Sequence, residues 1–250
     1  MGNSPSIRRL LVICTAGSLA GLGVLWFNPE HSKILCLATA GAAAMTWLGI
    51  LALAWPRRLV RVGLLSLPVL LLILLFLPGQ VNPSLLRETY LASLVSYEGV
   101  PYHWGGECRR GIDCSGLPRR ALRDALLKEG ILLVDGKALR TWLDHWWHDA
   151  SAKALSESYR DYTVPLHVKG TIKALDTSGL ATGDLAITAD GMHMLAYRGD
   201  DVWIQADPHA GAVISLNGKR DTNYWFTVPV TLHRWRVFQD SSLPPKPILP

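Results

Sequence analysis

The chain has 250 residues, of which 49% are hydrophobic and 18% charged. That excludes a disordered chain, which needs low hydrophobicity and high net charge. It allows one or two domains at roughly 100–200 residues each. The net charge of +5 is unevenly placed. Residues 1–80 hold only Arg8, Arg9, Glu30, Lys33, Arg57, Arg58 and Arg61 as charges, so 19 of the 25 basic and 19 of the 20 acidic residues remain for 81–250. A nucleic-acid reader carries its basic residues on the folded domain. Here the excess lies beside apolar segments, so no nucleic-acid partner is expected.

Three apolar stretches lead the chain, at about 10–27, 34–55 and 60–77. A hydrocarbon core of ~30 Å needs about 17–25 apolar residues, so each is read as a transmembrane helix. Pro68 inside the third is expected to kink it, which membranes tolerate. A cleavable signal peptide is the rival reading of the first stretch. Trp26-Phe27-Asn28-Pro29 offers no A-x-A site, and two further spans follow, so a retained anchor is preferred. Basic residues favour the cytoplasmic side. Arg8 and Arg9, then Arg57, Arg58 and Arg61, therefore put the N-terminus inside and everything after Leu77 outside. Pro78, Gly79 and Pro83 close the anchor of residues 1–80. A soluble domain is expected over 81–240, its folded part starting near Ser84. A Pro-rich, extended tail is expected over 241–250.

Cys14 and Cys36 fall inside the spans, as ordinary small packing residues. Cys108 and Cys114 lie close together in the outer domain, where an oxidising compartment permits a disulfide. A spectator Cys108 and a redox bridge to Cys114 are both open. The loop Tyr102-His103-Trp104-Gly105-Gly106 and the turn Gly111-Ile112-Asp113-Cys114-Ser115-Gly116 precede an amphipathic pattern of Leu117, Ala121, Leu122, Ala125 and Leu126. That spacing predicts a helix from about Cys114 or Ser115 to Lys128, ended by Gly130. A cysteine at a helix N-terminus meets the positive end of the macrodipole, which is expected to lower its pKa. Its N–H is also suited to a developing oxyanion.

A nucleophilic cysteine needs a base that is near in space. Gly183-Asp184-Leu185 turns into a strand, and His193 opens the next strand, His193 to Tyr197. Arg198-Gly199-Asp200-Asp201 is a hairpin turn into Val202–Ala206. Alternation puts Val202, Ile204 and Ala206 on one face and Trp203 and Gln205 on the other. His193 and Gln205 are then cross-strand neighbours, with Gln205 able to orient the imidazole; Asp207 and His209 compete for that place.

Tyr102-x-Trp104-Gly105-Gly106, Asp113-Cys114-Ser115-Gly116-Leu117, Gly183-Asp184-Leu185 and His193-x-x-x-Tyr197-x-Gly199 together resemble the NlpC-type cell-wall endopeptidases, compact papain-like cysteine peptidases of bacteria. The resemblance covers about Leu85 to Pro208. It implies an α+β fold, with a cysteine-bearing helix packed on a central antiparallel sheet. It implies cleavage of peptidoglycan stem peptides by a cell-membrane enzyme facing outward, with the lipid bilayer as its other partner. By position, Cys114 looks like the nucleophile, His193 the base and Gln205 the third polar residue. Tyr102 looks like the tyrosine lining the pocket, and Asp113 and Ser115 are candidate substrate contacts. Thiol chemistry of this kind needs no metal and no cofactor.

The sequence departs from that pattern in two respects. Gln205 is neutral, so it orients an imidazole without stabilising its cation. The stretch of about 131–179 is a long insertion, expected to form a helix and loop at the groove rim or against the membrane. Within it, His145 and His148 with Asp144 and Asp149 raise a metal site, but helical spacing with Trp142, Trp146 and Trp147 favours packing. An acyltransferase or amidase using the same Cys/His pair, and a non-catalytic wall-peptide binder, remain open, because fold membership does not fix the substrate.

Overall fold

A computed structural model describes residues 5–239. Residue 240 and the expected tail at 241–250 lie outside the described residues. Three helices open the chain: α1 (Pro5–Phe27), α2 (Lys33–Ala54) and α3 (Arg58–Phe76), with 23, 22 and 19 residues. Even the shortest is about 28 Å long at ~1.5 Å per residue. All three are long and apolar enough to cross a membrane. Leu10, Leu19, Leu37 and the run Leu70–Ile73 face outward, uncovered by protein. α1 and α2 pack side by side through small polar residues, with Thr46 donating to Ser18 at 2.9 Å. Such contacts let helix backbones approach closely. The helix α3 runs unbroken through Pro68.

The next helix, α4 (Pro83–Val95), starts as its sequence dictates. Pro83 occupies the first turn, and Asn82 Oδ1 accepts the N–H groups of Ser84 and Leu85. It buries Leu86, Tyr90 and Leu94, spaced for one helix face. A small ribbon, β1 (Glu107–Cys108) with β2 (Gly111–Ile112), leads into α5 (Gly116–Leu132). The expected apolar face of α5 is fully buried. Its end is not where the sequence put it. Gly130 lies inside the helix, because a Cβ there would sit 2.6 Å from Leu139 Cδ2. The glycine therefore permits close packing of two helices rather than a stop. The left-handed residue beyond the helix is Val134, at φ 53°.

The insertion carries α6 (Gly136–Trp147), capped by Asp135, then α7 (Ala152–Ser156) and β3 (Thr163–Gly170). The helix α6 rests on the end of α3. Arg140 donates to the carbonyls of Leu75 and Leu77, and Gly136 abuts Leu77 O. His145 stacks on Tyr162 at 3.9 Å and meets the edge of Trp235, so it packs in the core. The remaining strands are β4 (Leu185–Thr188), β5 (Met194–Gly199), β6 (Val202–Asp207), β7 (Ala212–Asn217) and β8 (Val230–Trp235). They form one antiparallel sheet in the order β3-β8-β4-β5-β6-β7. One face, with Ile204 and Ala206, packs on α4 and α5; the other, with Leu195 and Trp203, packs under Ile172 and Phe226. This is the expected α+β arrangement of a cysteine-bearing helix against an antiparallel sheet.

The Gly-Asp-Leu turn is tied to the last strand. Asp184 is wholly buried, and both of its oxygens accept from Arg234 at 2.6 Å. Removing one partner of a buried pair strands the other charge, at a cost of about 3–5 kcal/mol. Arg87 remains 4.0 Å away, so Arg234→Ala should destabilise by about 3 kcal/mol, the low end of that range. Denaturant unfolding of the full chain in detergent checks it.

Candidate active site

The site begins with a turn that has no freedom. Asp113 Oδ1 accepts the N–H groups of Ser115 (2.9 Å) and Gly116 (2.5 Å) and the Ser115 hydroxyl (3.0 Å). Its Oδ2 accepts the Gly105 N–H at 2.9 Å. Its own N–H donates to Gly106 O, and a side chain at Gly116 would strike that same oxygen. Asp113 thus caps α5 and fastens the glycine loop to it. Cys114 is held between, 7% exposed, with Sγ 3.8 Å from Met192 O. The Cys114 N–H makes no hydrogen bond to another backbone group among the described residues.

Burial pushes the Cys114 thiol from an ordinary 9.0 up to about 12, and the Asp113 charge adds to the rise. This corrects the sequence expectation of a lowered pKa. A helix end contributes ~0.3–1 kcal/mol, less than the ~1.4 kcal/mol of a single pH unit, so burial wins. All four cysteines are free thiols. Cys108 lies in β1 and accepts the Arg110 N–H at 3.4 Å.

Met192 leads directly to His193, which opens the way into β5. Thr188 fixes this corner: its Oγ1 accepts the N–H groups of Met192 and His193 at 3.1 and 3.0 Å. His193 Nε2 lies 2.6 Å from Gln205 Oε1. The Gln205 amide is oriented in turn, because its Nε2 donates to Asp207 Oδ2 at 3.3 Å. Asn223 Nδ2 donates to the same oxygen at 2.7 Å, and the His209 N–H to Asp207 Oδ1 at 2.7 Å. With Gln205 presenting oxygen, His193 Nε2 carries the proton and Nδ1 is left as the basic nitrogen. Trp225 stacks flat on the imidazole, 3.9 Å between centroids. Burial lowers His193 to about 4, against the opposing pull of Gln205 and Asp207.

Tyr102 is half-buried, its N–H donating to Gly211 O. Burial and the nearby Cys114, Asp113 and Asp207 raise its hydroxyl to about 12. The sequence residues Tyr102, Asp113, Cys114, Ser115, His193 and Gln205 are therefore gathered around one corner. Asp113 and Ser115 spend their polar atoms on the turn itself. Asp207 stands behind Gln205 rather than competing with it, and His209 joins the network through its backbone N–H and by its ring, which lies 5.9 Å from that of Trp225. Trp225, Thr188 and Asn223 escaped the sequence reading. Asn223 before three aromatics is a capping signal, but nothing in the spacing tied it to Gln205.

No group of three or more His, Cys, Asp or Glu among the described residues is arranged to hold a metal. A cavity of about 800 Å³ lies elsewhere, where α1 and α2 meet the domain.

The cysteine at the tip of α5 thus meets the carbonyl of Met192, the residue before the histidine that leads into β5 of the antiparallel sheet. The sequence model of the NlpC/P60 family matches residues 99–231, more than half of the chain. The chain belongs to the NlpC/P60 family. Similar solved structures include the peptidoglycan hydrolase RipB from Mycobacterium tuberculosis, at 22% identity over 61% of this chain and 67% of that one, with a TM-score of 0.37. An NlpC/P60 family protein from Bacillus cereus is 17% identical over 60% of this chain and 40% of that one, with a TM-score of 0.38. NlpC1 from Trichomonas vaginalis is 17% identical over 63% of this chain and 46% of that one, with a TM-score of 0.39. The chain thus spans less than half the length of the last two. No curated protein matches it.

Between about pH 5 and pH 9 both Cys114 and His193 are neutral at rest, since their pKa values lie at about 12 and about 4. Thiolate is then scarce, and its share rises about tenfold per pH unit as long as the pH stays below the thiol's pKa. Alkylation of Cys114 by iodoacetamide should therefore keep accelerating about tenfold per pH unit from about pH 5 to beyond about pH 9. A free thiol would instead level off above ~8.5. Mass spectrometry of the Cys114 peptide distinguishes the two profiles.

Proposed function

We propose that this protein is a membrane-anchored cysteine peptidase that hydrolyses amide bonds of peptidoglycan stem peptides. Residues 1–80 are its three-span anchor and 81–240 its catalytic domain, held outside a bacterial cell membrane by the placement of Arg8, Arg9, Arg57, Arg58 and Arg61. The observation that carries the chemistry is the chain His193–Gln205–Asp207 beside the Cys114 turn. The substrate class rests on family membership, on RipB being a peptidoglycan hydrolase, and on this topology.

In the proposed reaction, Cys114 gives its proton to His193 Nδ1 as sulfur attacks the carbonyl carbon. The oxyanion forms against the Cys114 N–H. Collapse breaks the C–N bond, and the amine leaves with the proton held by His193. Water, deprotonated by His193, then cleaves the thioester and restores the thiol. Gln205 fixes the imidazole, while the Asp207 carboxylate one link behind supplies the negative charge that Gln205 lacks. Trp225 keeps the ring from turning. Tyr102 lines the pocket, and Asp113 and Ser115 act by holding the turn more than by touching substrate.

Cys114→Ala should abolish peptide release from purified muropeptides without changing the melting temperature; turnover at the wild-type rate would exclude the mechanism. Gln205→Ala should lower kcat about 10–100-fold with little change in KM, because only the orientation of the base is lost. Mass analysis of the products identifies the bond cut, and acyl transfer to an added amine or lipid in place of hydrolysis would reassign the reaction.

A further inference from the structure

The ribbon that carries the nucleophile's turn is very small. β1 and β2 contribute two residues each, and a lone two-stranded ribbon is marginal in water. It gains a third element from outside the domain. The loop between α1 and α2 lies along it: Glu107 N–H donates to Pro29 O at 2.9 Å, His31 N–H donates to Gly105 O at 3.0 Å, and Glu30 pairs antiparallel with Gly106. The His31 ring fastens this contact, its Nδ1 lying 3.3 Å from Glu107 Oε2. The Glu107 carboxylate is buried against α5, 3.1 Å from Arg119 and 2.6 Å from Arg123. On its far side the ring meets α6, with Nε2 3.0 Å from Trp146 O.

Gly105 and Gly106 are the residues that hold Asp113. Gly105 N–H donates to Asp113 Oδ2, and Gly106 O accepts the Asp113 N–H. A continuous run of hydrogen bonds therefore leads from the first membrane hairpin, through two glycines, to the turn that presents Cys114.

We propose that His31 is a positioning residue for Cys114, and that the loop between the first two membrane helices is part of the active-site framework. The proposal rests on Cys114 being the nucleophile. His31 touches no reacting atom; it locks Pro29–His31 onto the glycine loop, and the loop locks Asp113. Without the ring, the backbone bonds of Pro29–His31 to the glycine loop lose the side-chain contact that steadies them, and the sulfur drifts from its attack position. A displacement of about 1 Å costs on the order of a hundredfold in rate; a loosened loop costs less.

The test uses the full chain in detergent micelles, with three variants. His31→Ala removes the ring. His31→Phe keeps its volume but removes the ring nitrogens that face Glu107 and Trp146. His31→Asn keeps a donor at the Nδ1 position. Two rates are measured: alkylation of Cys114 by iodoacetamide, resolved by peptide mass, and muropeptide hydrolysis. H31A and H31F should each lower both the alkylation rate and kcat about tenfold, with KM within about twofold of wild type; H31N should recover most of the loss. Thermal melting identifies the variants that fold, and H31F serves where H31A does not. A folded H31A or H31F that keeps the wild-type alkylation rate overturns the proposal, as does an H31N as slow as H31A. Alkylation needs no substrate, so it judges His31 even where muropeptides are not cut.

Discussion

The structure depends on one carboxylate more than on any other group. Asp113 receives four donors, from Gly105, Ser115 and Gly116. Hydrogen bonds to an ionised acceptor are about twice as strong as neutral ones, and these converge from two directions. One oxygen closes the N-terminus of α5, where free N–H groups need partners. The other reaches back to the glycine loop. Cys114 lies between the two, so its backbone is fixed before any substrate arrives. Glycine at 116 follows from this: the turn is so tight that Gly106 O occupies the place of a side chain.

Holding the cysteine this way requires burying it, and burial has a chemical consequence. The thiol and imidazole both stay neutral, one raised to about 12 and the other lowered to about 4. In the proposed reaction charge forms when the proton crosses between them, and the network behind His193 would steady it. Gln205 alone offers a dipole, but its amide is polarised by Asp207, itself held by Asn223 and the backbone of His209. Linked hydrogen bonds in a dry interior strengthen one another. A neutral third residue is thereby compatible with an imidazolium that exists only briefly.

The local patterns were legible in the sequence. Apolar stretches of bilayer length marked α1 to α3, and the face Leu117, Ala121, Leu122, Ala125 and Leu126 marked α5. Period-two alternation put His193 and Gln205 on one sheet face, but the register aligns Ala196 with Ile204 across a bulge at Tyr197–Gly199, so Gln205 reaches His193 diagonally rather than as its direct cross-strand partner. What failed depended on contacts between distant segments. Gly130 reads as a helix stop until Leu139 is seen against it. The sign of the Cys114 shift depends on how deeply the turn is buried, which no dipole argument contains. Asn223 and Trp225 reach His193 and its partners from a loop beyond β7, and the insertion's His145 spends its ring on Tyr162. Each of these is a packing fact, set by which surfaces meet.

The three N-terminal helices and the domain meet at two separate places. The loop before α2 engages β1 and α5 through His31 and Glu107. The end of α3 receives Arg140 and Gly136 from α6. A single flexible linker leaves a domain free to rotate; two attachments far apart in the chain remove that freedom. Arg119 and Arg123 explain why the first attachment persists despite its polarity. Glu107 is desolvated, which disfavours its charge, yet the two guanidiniums hold its pKa below the ordinary value. Its charge is therefore kept at neutral pH, and the His31 ring is drawn to a fixed point on α5 rather than to solvent. The same helix that presents Cys114 at its tip thus carries, about one and two turns along, the groups that fasten it to the loop between α1 and α2.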